Sequence, residues 1–382
     1  MKRLFYFMLS LSMPLLLASC GGGASSNQAE QKSDSTQVEQ SGKFKLGNGV
    51  NVSHWLSQSD RRGEERAKQI VKADFDSIAA MGFDHVRIPV DEVQLYDDSL
   101  NRYEDAFQLL KNAIDWSLED GLNVIVDLHV IRSFHFNNEN GRPNTLFTDP
   151  AAQENMVKVW LDLQQFLKVY PNDRVAYELL NEVSAPTHEA WNQLIEKNIK
   201  ALRQEEPNRM IVVGSNWAQT IAAFDSLRVP EGDKNLIVSF HYYSPLLITH
   251  YGAPWSDASL YKGKVTYPGL PIADTSCYKD MKPEDVAKIR VHNVAYNRDS
   301  MARDMMHAIE MAKDWGLELY CGEFGSYPRF IDQETRLRWY NDLVSIFRQY
   351  NINNAHWCYK GDFPVVKEDG SANELPALLT KK

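Results

Sequence analysis

The chain has 382 residues, 43% hydrophobic and 24% charged, the balance of a globular protein with ample apolar content for a full core. Its net charge of −10, from 51 acidic against 41 basic residues, argues against a nucleic-acid partner. Seventeen Tyr, sixteen Phe and nine Trp supply flat apolar faces for the core and for stacking on a ligand.

The N-terminus begins with Lys2 and Arg3, runs apolar from Leu4 to Ala18, and reaches Leu17-Ala18-Ser19-Cys20. That run is too short for a comfortable membrane span, so residues 1–19 are expected to be a signal peptide. Its removal leaves 39 basic against 51 acidic residues, a net charge of −12. Leu-Ala-Ser-Cys resembles the lipobox of bacterial lipoproteins, in which cleavage leaves a lipid-modified Cys as the first residue. Cys20 is therefore the expected lipidation site, and the exported protein is expected on a bacterial membrane, with an ordinary secretory signal as the alternative. Residues 20–43 are mostly Gly, Ser, Gln, Glu, Lys and Thr, with too little apolar surface to offset the entropy of ordering, and read as a flexible tether. Cys277, Cys321 and Cys358 are odd in number and lack Cys-x-x-Cys spacing, so neither a disulfide framework nor a zinc site is indicated.

From residue 44 a β-rich run, a loop and an amphipathic helix repeat. The runs are Val50 to His54, His85 to Val90, Asn123 to His129, Val175 to Glu182, Met210 to Ser215, Leu236 to Tyr242, Leu317 to Glu323 and Asn354 to Tyr359. Phe107, Leu110, Ile114 and Leu118 have the spacing of one helix face, as do Leu337, Tyr340, Leu343 or Val344, and Phe347. Such alternation predicts a (β/α)8 TIM barrel of the α/β class, a single catalytic domain over residues 44–382 with an insertion at about 244–296. A doubly wound open sheet is the competitor, but neither Gly-x-Gly-x-x-Gly nor a P-loop is present.

Active sites of such barrels form at the carboxyl ends of the strands. Here those ends carry His54, Arg87, His129, Asn181, Glu182, Trp217, His241, Tyr243, Glu323 and Trp357. Glu182 and Glu323 each end an apolar run, where a charge is costly unless it serves something, and together they suggest a catalytic pair. A lone strand-end Glu could instead cap the next helix. Two carboxyls among polar and aromatic residues, with no metal-ligand spacing, favour glycoside hydrolysis, in which one group donates a proton while the other is ionised. Arg87 either holds one of them ionised or pairs in the interior with Glu178. Simple alternation turns Asn181 away from Glu182 unless the strand end bends or bulges. Trp55, Trp217 and Trp255 are candidate sugar platforms or packing residues, and His54 a candidate sugar contact.

The motifs His85-Val86-Arg87-Ile88-Pro89, Asp127-Leu128-His129, Leu180-Asn181-Glu182, His241-Tyr242-Tyr243 and Gly322-Glu323-Phe324-Gly325, followed by Trp357, resemble glycoside hydrolase family 5, the cellulase family of clan A, over about Gly47 to Tyr359. The resemblance implies that Glu182 is the acid and base, Glu323 the nucleophile, Arg87 and Tyr243 partners of the nucleophile, and Asn181 a ligand of the sugar 2-hydroxyl. It also implies that His129 and His241 line the central subsite and that Trp357 stacks under the sugar. Many members have Pro where this chain has Val183, so the following loop is expected to differ in shape. The expected activity is retaining, endo-acting hydrolysis of a β-1,4-linked polysaccharide of the cellulose or β-glucan type, by a monomer without metal or other cofactor. A mannanase or xyloglucanase, or a non-catalytic surface glycan-binding lipoprotein, are the alternatives. Both carboxylates are present, which disfavours the last, and a metal-dependent barrel hydrolase lacks its His-x-His cluster.

Overall fold

The computed structural model describes residues 43–137, 141 and 143–381. Residues 1–19 and Cys20 lie outside the described residues, as does nearly all of the expected tether. Eight parallel strands close into a barrel in chain order: β1 (Asn48–Asn51), β2 (His85–Asp91), β3 (Asn123–Val130), β4 (Val175–Glu178), β5 (Ile211–Gly214), β6 (Leu236–Tyr242), β7 (Glu318–Phe324) and β8 (Asn353–His356). β1 pairs with both β2 and β8, so closure leaves no free sheet edge. The predicted (β/α)8 barrel is the observed fold.

The strands are buried on both faces, which is why they read as continuous apolar runs. Their outer faces pack on helices through the spacing seen in the sequence: Glu104–Glu119 buries Phe107, Leu110 and Ile114, and Gln333–Tyr350 buries Tyr340, Leu343, Val344 and Phe347. Inside the barrel a separate cluster of Phe44, Ile125, Ala176, Met210, Val212, Ile237, Tyr320 and Ala355 fills the amino-terminal half. Above it Asn51, Arg87, Asp127, Glu178 and Ser239 form a fully buried polar layer. This layer is the floor on which the site is built.

Several strands end earlier than their apolar runs suggested. β1 stops at Asn51 rather than His54, β4 at Glu178 rather than Glu182, and β8 at His356 rather than Tyr359. Beyond the ends of β1 and β4, His54 and Glu182 take left-handed φ values of 57° and 44°. The β5–β6 connection also departs from the repeat, because it holds only the turn Asn216–Gln219 and the 3-10 turn Ile221–Ser226 in place of an amphipathic helix. The insertion carries two α-helices, Leu246–Thr249 and Pro283–His292. Among the described residues no helix is long and apolar enough to cross a membrane.

Candidate active site

Arg87, on β2, organises the site. Its Nε and Nη2 donate to the two oxygens of Glu178 at 2.6 and 2.9 Å, its Nη1 donates to Glu323 Oε1 at 2.8 Å, and Nη2 lies 3.1 Å from Asp127 Oδ2. Asn51 and Asn181 each accept a further bond from it at 2.9 Å. The two expectations for Arg87 therefore hold together, since one guanidinium serves the interior Glu178 and the candidate nucleophile at once. The planar five-donor fork makes this possible, where an ammonium would serve as a point charge. One cation faces three carboxyls, so compensation is incomplete. Burial raises Asp127 to about 7 although Arg87 opposes it.

Glu323 ends β7 with both oxygens engaged, Oε1 by Arg87 and Oε2 by the Tyr243 hydroxyl at 3.0 Å. Glu182 lies beyond β4, and its Oε1 is 2.9 Å from His241 Nδ1. Burial raises each carboxyl to about 7, opposed at Glu323 by His241 and Arg87 and at Glu182 by Arg87. With these opposing charges included the two carboxyls stand level, and their direct contacts distinguish their roles. Glu323 accepts from a guanidinium and a hydroxyl, contacts that suit an ionised carboxylate, while Glu182 has no cation in direct contact and faces the cleft beside a neutral imidazole, which suits a proton donor. Burial lowers His241 to about 4, so at neutral pH its imidazole is uncharged and donates to Glu182 once that carboxyl is ionised.

Asn181 reaches the site because β4 has already ended. Its main-chain N–H bonds to Leu128 O on β3 at 3.0 Å, and its amide Nδ2 lies 3.4 Å from His129 Nε2. His129 is held by Asp127 through Nδ1 at 2.7 Å, and burial keeps it neutral. The Trp357 indole stacks on the His129 ring at 5.5 Å and 10°, and borders the cleft. His54 sits at the rim with Nε2 3.3 Å from Asp362 Oδ2; burial opposes its charge, but the Asp362 carboxylate overcomes this and raises the imidazole above its ordinary range.

The turn after β5 holds Glu182 from behind. Gln219 is 1% exposed; its Oε1 accepts the Glu182 N–H at 3.0 Å, and its Nε2 is 3.3 Å from both Glu178 Oε1 and Ser239 Oγ. Gly214 makes room for it, since a Cβ there would lie 2.3 Å from the Gln219 side chain. Trp217, Ala218 and Gln219 are all left-handed, with φ of 57°, 58° and 52°. Asn216 pins this turn by accepting from Ala185 N at 2.8 Å and donating to Ala185 O at 3.2 Å.

Two cavities meet at Glu182. The larger, about 1010 Å³, is bordered by His54, His129, Asn181, Glu323 and Trp357, and the smaller, about 370 Å³, by Trp217, His241 and the insertion residues Val291, Val294 and Tyr296. Glu182 and Tyr243 border both. Trp217 is thus a wall of the smaller cavity, half-exposed and apart from the network around Arg87. Trp55 is not a platform. It is fully buried, with its indole N–H on Arg66 O at 2.8 Å. Sequence reasoning missed Gln219 and Asp362, and quoted Asp127 only within a motif; a buried carboxyl two residues before His129 on the same strand face was the available signal. Among the described residues, Glu182, His241 and Glu323 alone could hold a metal ion, with one ligand atom from each within 4.8 Å of the others.

Comparison with known proteins agrees with this geometry. Residues 41–362 match the model of Cellulase (glycosyl hydrolase family 5). Endoglucanase C of Acetivibrio thermocellus is 32% identical over 343 residues, 87% of this chain and 98% of the relative. Cellodextrinase A of Ruminococcus flavefaciens is 27% identical, over 80% of this chain and 83% of the relative. The structure of Thermotoga maritima Cel5A in complex with cellobiose superposes with a TM-score of 0.70 at 26% identity, covering 87% of this chain and 97% of that one. An eight-stranded barrel with two carboxyls at its mouth, a family match across most of its length and a relative similar almost end to end lead to one conclusion: the chain is a glycoside hydrolase and belongs to glycosyl hydrolase family 5, the cellulase family.

Proposed function

We propose that this protein is an endo-acting β-1,4-glucanase that retains anomeric configuration, with Glu323 as nucleophile and Glu182 as acid and base. One observation carries the reading. An oxygen of Glu182 and one of Glu323 lie within 4.8 Å of each other. Double displacement uses a spacing of about 5 to 5.5 Å, whereas an inverting site needs roughly 6.5 to 9.5 Å to admit water between the groups.

In the first step Glu323 attacks the anomeric carbon while Glu182 gives its proton to the departing glycosidic oxygen. A glycosyl ester on Glu323 forms as the bond to the leaving group breaks. In the second step Glu182, now ionised, takes a proton from water, which attacks the same carbon and releases Glu323. Glu323 loses its charge on forming the ester, but Arg87 keeps Glu178 and Asp127 and is never left as an uncompensated buried cation. Asn181, its Oδ1 held by Arg87, has its Nδ2 available for the sugar 2-hydroxyl, and Trp357 offers an apolar face braced by His129.

The two cavities flanking Glu182 support attack within a chain rather than at its end. The relatives are named endoglucanases and a cellodextrinase, which supports β-glucan as substrate. Thermotoga maritima Cel5A, which is 26% identical, has also been solved with mannotriose, so a β-mannan is the second substrate to test. Purified protein should release oligosaccharides and lower the viscosity of soluble β-1,4-glucan faster than of mannan or xyloglucan, and NMR of fresh products should show the β anomer first. Initial formation of the α anomer would refute the nucleophile assignment, and preference for mannan would refute the substrate. We also propose, from the lipobox-like Leu17 to Cys20, that the mature protein is held on a bacterial membrane by lipid at Cys20.

A further inference from the structure

A run of aromatic rings leads outward from the nucleophile's partner Tyr243. Tyr243 lies 5.0 Å from His250 and 6.2 Å from Phe363; Phe363 lies 5.9 Å from Tyr327 and 6.3 Å from Trp255. Tyr327 in turn lies 5.2 Å from Trp255 and 6.4 Å from Phe330. The inner rings Phe363 and Tyr327 are buried, but Trp255 is 47% exposed and Phe330 62%. Trp255 borders the larger cavity, whereas Phe330 is not among the residues that border it.

Leaving a large ring in water forfeits the gain from burying it. Phe330 is nonetheless seated rather than loose. It packs on Gly252, where a Cβ would sit 2.4 Å from Phe330 Cδ2, and on the Tyr327 ring, which Trp255 meets edge-on at 75°. A buried scaffold that holds two rings while leaving much of each in solvent is suited to presenting them to a ligand. The occupant follows from continuity. The same aromatic run borders the cleft, so a polymer lying in the larger cavity can continue past Trp255, and the axial C–H faces of its sugars are flat apolar surfaces.

We propose that Trp255 and Phe330 form a ledge that binds the β-glucan chain where it extends beyond the catalytic cleft, so that the barrel carries its own polymer-binding surface. The proposal rests on the glycanase reading of the cleft. It predicts a division between long and short substrates, because a short aryl glycoside ends before it reaches Phe330.

The test compares wild type with Phe330→Ala, Phe330→Trp and Trp255→Ala. Phe330→Ala should leave kcat/KM on an aryl cellobioside unchanged. It should reduce retardation in gels containing soluble β-1,4-glucan and lower kcat/KM on that polymer about 2- to 10-fold, the amount one aromatic contact supplies. Phe330→Trp should restore both, and Trp255→Ala should weaken retardation further. Unchanged retardation and polymer kinetics in Phe330→Ala, with the aryl activity intact, overturn the ledge. Sedimentation showing a wild-type dimer that Phe330→Ala dissociates also overturns it, since the occupant is then a second copy of the chain. A wild type that cleaves neither substrate overturns the glycanase reading instead.

Discussion

Replacing Gln219 with Leu should separate the acid function of Glu182 from the rest of the reaction. The substitution nearly conserves volume beside Gly214 but removes the acceptor of the Glu182 N–H at 3.0 Å and the amide facing Glu178 and Ser239 at 3.3 Å. A buried amide left without a partner costs about 1 to 3 kcal/mol, so the strained left-handed backbone at Glu182 gains that much incentive to turn elsewhere. A side chain displaced by about 1 Å from a reacting atom loses roughly 10²-fold in rate. That loss should fall on cellooligosaccharides, whose leaving oxygen needs a proton. The first step on a dinitrophenyl cellobioside needs none and should stay within a few-fold of wild type. Stopped-flow burst rates on the aryl substrate, set beside kcat/KM on cellotetraose, read the split directly. Equal losses on both would show that Gln219 supports the whole barrel mouth rather than Glu182, and no loss on either would show that Gln219 does not position Glu182 at all.

Glu323→Ala should be inactive on every substrate, whereas Glu182→Ala should lose about 10² to 10⁴-fold on polysaccharide, keep its burst on the dinitrophenyl glycoside, and form a glycosyl azide of retained configuration when azide is added; the opposite pattern would exchange the two roles. The pH dependence of stability carries a definite sign: burial raises Glu182 from its ordinary 4.5 to about 7, so the folded state binds that proton more tightly and its stabilisation is lost as pH rises through that interval. Glu182→Gln should therefore melt higher than wild type at pH 8 and lose the advantage by pH 4, and calorimetry showing the reverse would refute the burial argument. The same variant removes a negative charge that raises Glu323, so the acid limb of its aryl-glycoside kcat/KM profile should move to lower pH, a shift the rate profile measures. Cys20→Ser should move the protein from the membrane fraction to the soluble one or leave it unprocessed, and identical soluble fractionation of both forms would remove the anchor.

The barrel was legible because burial on both strand faces leaves an apolar run that sequence can show, and β6 has the bounds its run suggested, Leu236–Tyr242. Strand ends were less legible where they matter most. Alternation carried β4 to Glu182 and left Asn181 facing the wrong way; a strand that stops at Glu178, and a left-handed Glu182, bring both residues inward. Arg87 posed a choice between Glu178 and a catalytic carboxyl that the five-donor geometry does not require. Gln219 was invisible because its importance depends on a main-chain amide 37 residues away and on the notch at Gly214. Trp55 and Trp217 look alike in sequence, and only the left-handed turn that carries Trp217 sets one at a cavity wall and the other in the core.

The hub at Arg87 also bears on how the molecule assembles. Two of its carboxyls, Asp127 and Glu178, come from the first half of the chain, and the third, Glu323, arrives 236 residues after it. The half-barrel β1–β4 already supplies Arg87 with two carboxyl partners, whereas the half β5–β8 carries Glu323 without that guanidinium. The carboxyl-terminal half is thus the dependent partner, since the cation that opposes the burial of Glu323 belongs to the amino-terminal half. The same ring closure that removes the sheet edges therefore also brings the third carboxyl of the catalytic centre to its cation.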